Sequence, residues 1–104
     1  MIPKTFKVAG GKTIYIDIVD TIESNSRKDS YLFGDFNDAS NKIRVAKNVP
    51  VDGKNYFQTD EDMERTFLHE LGHVFQFYSG VDMDEMEAQV FSNFMYEYLH
   101  TNKK

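Results

Sequence analysis

Five consecutive residues, His69-Glu70-Leu71-Gly72-His73, have the types and spacing to do chemistry. On an α-helix, residues four apart are neighbours on one face, about 6 Å apart along the axis. Two imidazoles so placed can converge on one metal ion. Glu70 stands beside the first of them, where a carboxylate can take a proton from a water activated by that metal. The chain has only three histidines and no cysteine. Any zinc must therefore be held by His and carboxylate, and disulfides are excluded.

A catalytic zinc takes three protein ligands and keeps one open position. With His69 and His73 as two, the downstream candidates for the third are Asp82, Asp84, Glu85, Glu87 and His100. Helix capping accounts for Asp82 and Glu85, and Asp84 suits the charge preference of a first helical turn. Glu87 heads a stripe of Val90, Phe91, Phe94, Met95 and Tyr98. That pattern predicts that it faces the core, where an unpaired charge is costly and a cation would be its partner. From His73 to Ser79 is about 9 Å of helix, and from Asp82 to Glu87 about 7.5 Å coming back. A tight turn at Gly80 then brings Glu87 level with the histidines. His100 lies thirteen residues beyond Glu87, about 20 Å along the axis, and reads as a surface residue.

These residues must be positioned by a small fold. The 104 residues make one domain, 1–104, and 40% hydrophobic content with 14% aromatic residues is enough for a core. The first half reads as short strands. Phe6 and Val8 precede a turn at Ala9 to Lys12, and Ile14, Ile16 and Ile18 then alternate with Tyr15 and Asp17. Residues 19–29 are polar and unpatterned. A second hairpin pairs Tyr31–Phe36 with Lys42–Ala46 across Asn37 to Asn41, and Asn48–Lys54 reads as a loop.

The second half is helical. Thr59 is a natural N-cap before Asp60, Glu61 and Asp62, and Ser79-Gly80 is a natural stop. Asp82 with Glu85 forms a capping box, Val81 and Met86 a staple, and a last helix runs to about Leu99, with Thr101 to Lys104 fraying. The expected class is α+β: a small antiparallel sheet of two hairpins, then the His-Glu helix and a C-terminal helix forming an αα-hairpin.

With this constellation the chain resembles a minimal gluzincin-type zinc metallopeptidase, and in particular the small ImmA/IrrE-like peptidases of phages and bacterial mobile elements. The resemblance rests on Thr66 to Phe75 (TFLHELGHVF) and on Glu87 to Ser92 (EAQVFS). It lacks the Leu-Leu-x-Pro ending of the second motif, and its interval between His73 and Glu87 is short. The resemblance implies one zinc ion held by His69, His73 and Glu87. It also implies Glu70 as the general base that hydrolyses peptide bonds of a protein or peptide substrate.

A net charge of −5 without a basic cluster argues against nucleic-acid and anionic-membrane partners. The N-terminus lacks the apolar stretch of a signal peptide, which with the absence of cysteine points to the cytoplasm. Nothing in the sequence specifies an oligomeric state. An oxyanion donor would have to come from the first half, for instance Tyr31 or Tyr56, and a substrate strand would pair with the edge at Gly34-Asp35 or at Lys42–Ala46. A non-catalytic, zinc-stabilised protein-binding module is the alternative function. A helical interaction module without metal is the third.

Overall fold

The computed structural model describes residues 2–8 and 10–101. The turn residue Ala9 and the terminal segment 102–104 lie outside the described residues, so the expected fraying there does too. Six strands precede two helices: β1 Thr5–Lys7, β2 Thr13–Val19, β3 Gly34–Asn37, β4 Lys42–Ala46, β5 Asn48–Val51, β6 Lys54–Phe57, α1 Asp60–Ser79 and α2 Glu85–Thr101. The class is α+β, as the patterning indicated.

Four strands form one sheet in the order β1-β2-β4-β3. Both expected hairpins are present, with Phe6 opposite Ile14 and Phe36 opposite Ile43. The sheet is mixed rather than wholly antiparallel, because the two hairpins meet through a parallel pairing of β2 with β4 that sets Ile16 beside Ile43. The polar connection after β2 makes this possible by carrying the chain across the sheet before β3 begins. β4 is thereby paired on both sides, and β3 is left as an edge. The Asn37 side chain closes the β3–β4 turn by accepting from the backbone N–H groups of Ala39 and Ser40.

The segment expected to be a loop after β4 is instead a second small sheet, β5 paired with β6. Asp52 and Gly53 both have positive φ (52° and 76°), the backbone of a two-residue hairpin turn. Asp-Gly is the dipeptide that such a turn favours.

α1 begins where expected. Thr59 and Asp62 form a reciprocal capping box, and Gly80 ends the helix in the left-handed conformation (φ 75°). Its inner face carries Phe67, Leu68 and Val74 onto Ile14, Ile16, Ile43 and Val45 of the sheet, forming the main core. Gln58 ties this layer together. Its amide donates to the carbonyls of Ala46 and Phe33 and accepts from the Thr66 hydroxyl, holding β3 and β4 at a fixed height on α1.

α2 returns along α1, but not on the face its apolar residues suggested. The residues packed inward are small. Ala88 and Ser92 are fully buried, and a Cβ at Gly72 would lie 3.1 Å from Ala88 Cα. Ser92 Oγ donates to the Arg65 carbonyl. Val90, Phe94 and Tyr98, expected in the core, are 63–70% exposed. Small residues at 72, 88 and 92 let the helices approach closely, and that contact sets the rotation of α2 about its own axis.

Candidate metal centre and cleft

The central part of α1 presents His69 and His73 on one face, with ring centroids 5.0 Å apart. The carboxylate that meets them is Glu85 and not Glu87. Glu85 Oε1 lies 2.8 Å from His69 Nε2, and Oε2 lies 3.2 Å from His73 Nε2. Glu87 is directed elsewhere, its Oε1 accepting from Gln76 Nε2 at 2.7 Å.

The start of α2 explains the exchange. Its N-cap is Asp84, whose carboxylate accepts from Glu87 N–H and whose carbonyl accepts from Ala88 N–H. Asp82 is exposed and does not cap the helix. The helix therefore starts two residues later than the Asp82 reading. Glu85 becomes its first residue, free of capping and facing α1. Ala88 and Ser92, three and seven residues on from Glu85, are the buried contacts of that same face.

Each histidine is oriented through its other nitrogen. His73 Nδ1 lies 2.9 Å from Gln76 Oε1, and His69 Nδ1 lies 3.0 Å from Gln89 Oε1. The orientation of the Gln76 amide follows from its surroundings. Its nitrogen faces two acceptors, the Glu87 carboxylate and the Asp84 carbonyl, while its oxygen accepts from Asp84 N–H. An oxygen so placed can only accept, so the proton of neutral His73 sits on Nδ1 and the Nε2 lone pair points toward Glu85. His69 likewise turns Nδ1 to an amide oxygen and Nε2 to Glu85.

Two imidazole nitrogens and a carboxylate in mutual contact are balanced by positive charge between them, either a proton on an imidazole or a metal ion. The three donor atoms lie within 4.8 Å of one another, and Glu85 is close to both nitrogens. Tetrahedral zinc with bonds of 2.0–2.2 Å places its ligand atoms about 3.3 Å apart. The donor set and its spacing fit zinc. The supporting amides on both Nδ1 atoms are the kind of outer contact that orients metal-binding histidines.

The centre opens into a cleft of about 720 Å³. Its floor is α1, with Thr66, His69, Glu70 and His73, and one wall is the run from Tyr31 to Phe36 including β3. Glu70 is 8% exposed. Burial pushes its carboxyl up to about 7; Glu85 and Asp35 push the same way, and the two histidines oppose. Gly34 is the point of closest approach between wall and floor. A Cβ there would lie 2.6 Å from Thr66 Cγ2, 2.9 Å from the Arg44 carbonyl and 3.3 Å from Glu70 Cγ. Asp35 is held flat on the sheet by a two-pronged ion pair with Arg44.

Of the remaining candidates, His100 turns away from the centre. It stacks on Tyr96 and bonds both carboxylate oxygens of buried Glu64 at 3.0 and 3.1 Å. Tyr31 lines the cleft. Tyr56 does not; its hydroxyl donates to Asp62 at the start of α1. Among the described residues no helix is long and apolar enough to cross a membrane. Comparison with protein-family models, curated proteins and solved structures returns no match for this chain.

Proposed function

We propose that the chain is a zinc-dependent peptidase that cleaves an extended segment of a protein substrate. The observation that carries this reading is one juxtaposition. A buried carboxyl, Glu70, lines the same cleft as three convergent metal-type donors, His69, His73 and Glu85, next to an unpaired strand edge. His69, His73 and Glu85 would hold the ion, with Glu85 in the role that the sequence assigned to Glu87. Zinc there supplies a Lewis acid that polarises a carbonyl and makes a water acidic.

The chain's own residues then divide the work. Glu70 accepts a proton from the attacking water and returns it to the departing amine, a role suited to a buried carboxyl that lines the cleft beside the donor set. β3 offers its free edge to the substrate backbone, which adds as a further strand. β4 cannot serve, being paired on both sides. Leu32, Phe33, Phe36 and Met83 supply the apolar part of the cleft lining, and Tyr31 adds a hydroxyl besides that of Thr66, which is given to Gln58.

The test compares zinc-loaded chain with Glu70→Gln on a bacterial lysate, reading new N-termini by mass spectrometry. New termini that appear with the wild type and vanish with Glu70→Gln support the proposal. Equal cleavage by both removes Glu70 as the base. Zinc binding with no cleavage by either leaves a zinc-stabilised binding module and overturns the peptidase reading.

A further inference from the structure

The face of α2 opposite the metal centre is apolar and uncovered. Met86, Val90, Phe94 and Tyr98 follow one another every fourth residue and are 78%, 63%, 70% and 66% exposed. They form one continuous row along the helix, roughly 160° around from Glu85. Phe91 and Phe75, stacked with centroids 6.1 Å apart, extend the patch onto α1, and Phe75 is itself 61% exposed. Helices of this length normally bury their apolar row. Here the small-residue contact of Ala88 and Ser92 with α1 has turned the row outward.

We propose that this face pairs with the same face of a second copy, α2 against α2, across a two-fold axis perpendicular to the helices. Three observations favour a second copy. First, a row spaced by four residues is a ridge, and the commonest packing of two helices interdigitates two such ridges at about −50°. Second, a two-fold midway between Val90 and Phe94 sets the small side chain of each copy against the large one of the other, and Met86 against Tyr98. A self-complementary surface is what an isologous dimer requires. Third, the apolar area available is that of a modest dimer. With aromatic side chains of about 150–250 Å² each, these exposures come to at most about 600 Å² a copy, or about 1,200 Å² in all if the whole patch is covered, which sets a weak, concentration-dependent pair as the expectation.

The acidic side chains stay at the rim. Glu87 and Glu97 are exposed on opposite flanks of the row, about 80° apart around the helix. The two-fold therefore sets Glu87 of one copy level with Glu97 of the other, across the width of the row, a like-charge pairing that salt screens. Antiparallel helices offset it by bringing opposite dipole ends together. The cleft stays open in such a dimer, because Glu85 and Gln89 lie on the other side of α2.

Sedimentation equilibrium on the chain, with and without zinc, tests this. The expected result is a mass twice that of the chain at about 100 µM, with Phe94→Glu raising the dimer dissociation constant about 30-fold or more, as loss of an interface centre does. Phe94→Leu should keep the dimer, and all three proteins should share one far-UV circular dichroism spectrum, since residue 94 touches no core. A monomeric wild type at that concentration overturns the proposal and assigns the face to some other partner. A dimer that Phe94→Glu leaves intact overturns it equally. Neither result depends on peptidase activity, so this proposal and the preceding one fail separately.

Discussion

The oxygen of the Gln76 side chain lies 2.9 Å from Nδ1 of His73, and this one contact decides which nitrogen of His73 faces Glu85. Gln76 is 1% exposed, and its four hydrogen bonds join α1, the turn after it and the first residues of α2. A single amide thus orients one donor and anchors the segment that carries another.

Replacing it should affect both. Gln76→Leu takes the partner from Asp84 N–H and from His73 Nδ1, at a cost of about 1–3 kcal/mol. Zinc affinity should fall about 10–100-fold, as expected for loss of an outer contact to a ligand. Nitrogen-15 NMR of the metal-free protein should show His73 passing from the Nδ1–H tautomer to a mixture. An unchanged tautomer would remove Gln76 from this role.

Glu85 and Glu87 can be separated by metal titration. Glu85→Ala should weaken zinc binding by about 100-fold or more, whereas Glu87→Ala, which only frees one side of Gln76, should cost about 10-fold or less. Competition against a calibrated chelator reads both. The reverse order would restore the ligand set expected from the sequence.

Gly34 keeps β3 against α1. Gly34→Ala puts a methyl carbon 2.9 Å from the backbone carbonyl of Arg44, so the strand must shift. Overpacking of this kind costs about 1–3 kcal/mol. Urea denaturation should show that loss, and no change in midpoint would mean that the wall is free to move.

The Asp62 cap should make α1 sensitive to acid. The Tyr56 hydroxyl and then the Thr59 backbone N–H hold its carboxyl below the usual range. A carboxyl with a lower pKa folded than unfolded stabilises fully above its unfolded value, about 3.9, and that contribution disappears as pH falls through the folded value. The melting temperature of Asp62→Asn should therefore lie below that of the wild type at neutral pH, and the gap should begin to close once pH falls below about 3.9. A gap that persists in acid would contradict this.

Much of the frame is local and therefore legible in the residues. Thr59 and Gly80 bound α1 because a capping side chain and a left-handed glycine act within one turn. Ile14 and Ile16, Ile43 and Val45 announce inward faces by alternation. What the residues left ambiguous is equally specific. Asp82 to Glu85 and Asp84 to Glu87 are two overlapping capping signatures, and choosing the second moves the start of α2 by two residues. The apolar stripe misled for a different reason. Small residues at 72, 88 and 92 govern the helix contact, and a hydrophobicity pattern gives them little weight. The parallel pairing of β2 with β4 is set by a long connection whose polar sequence carries no periodicity.

The close approach at Gly72 and Ala88 has one more consequence. His69 and His73 belong to one helix and Glu85 to the other, so the gap between the helices is also the bite of the donor set. Two residues with no polar side-chain atom act as its spacer. A bulkier side chain at either position would draw Glu85 away from both histidines with every donor still in the chain. The size of ion that the proposed centre would grip is thus written at positions that never touch it.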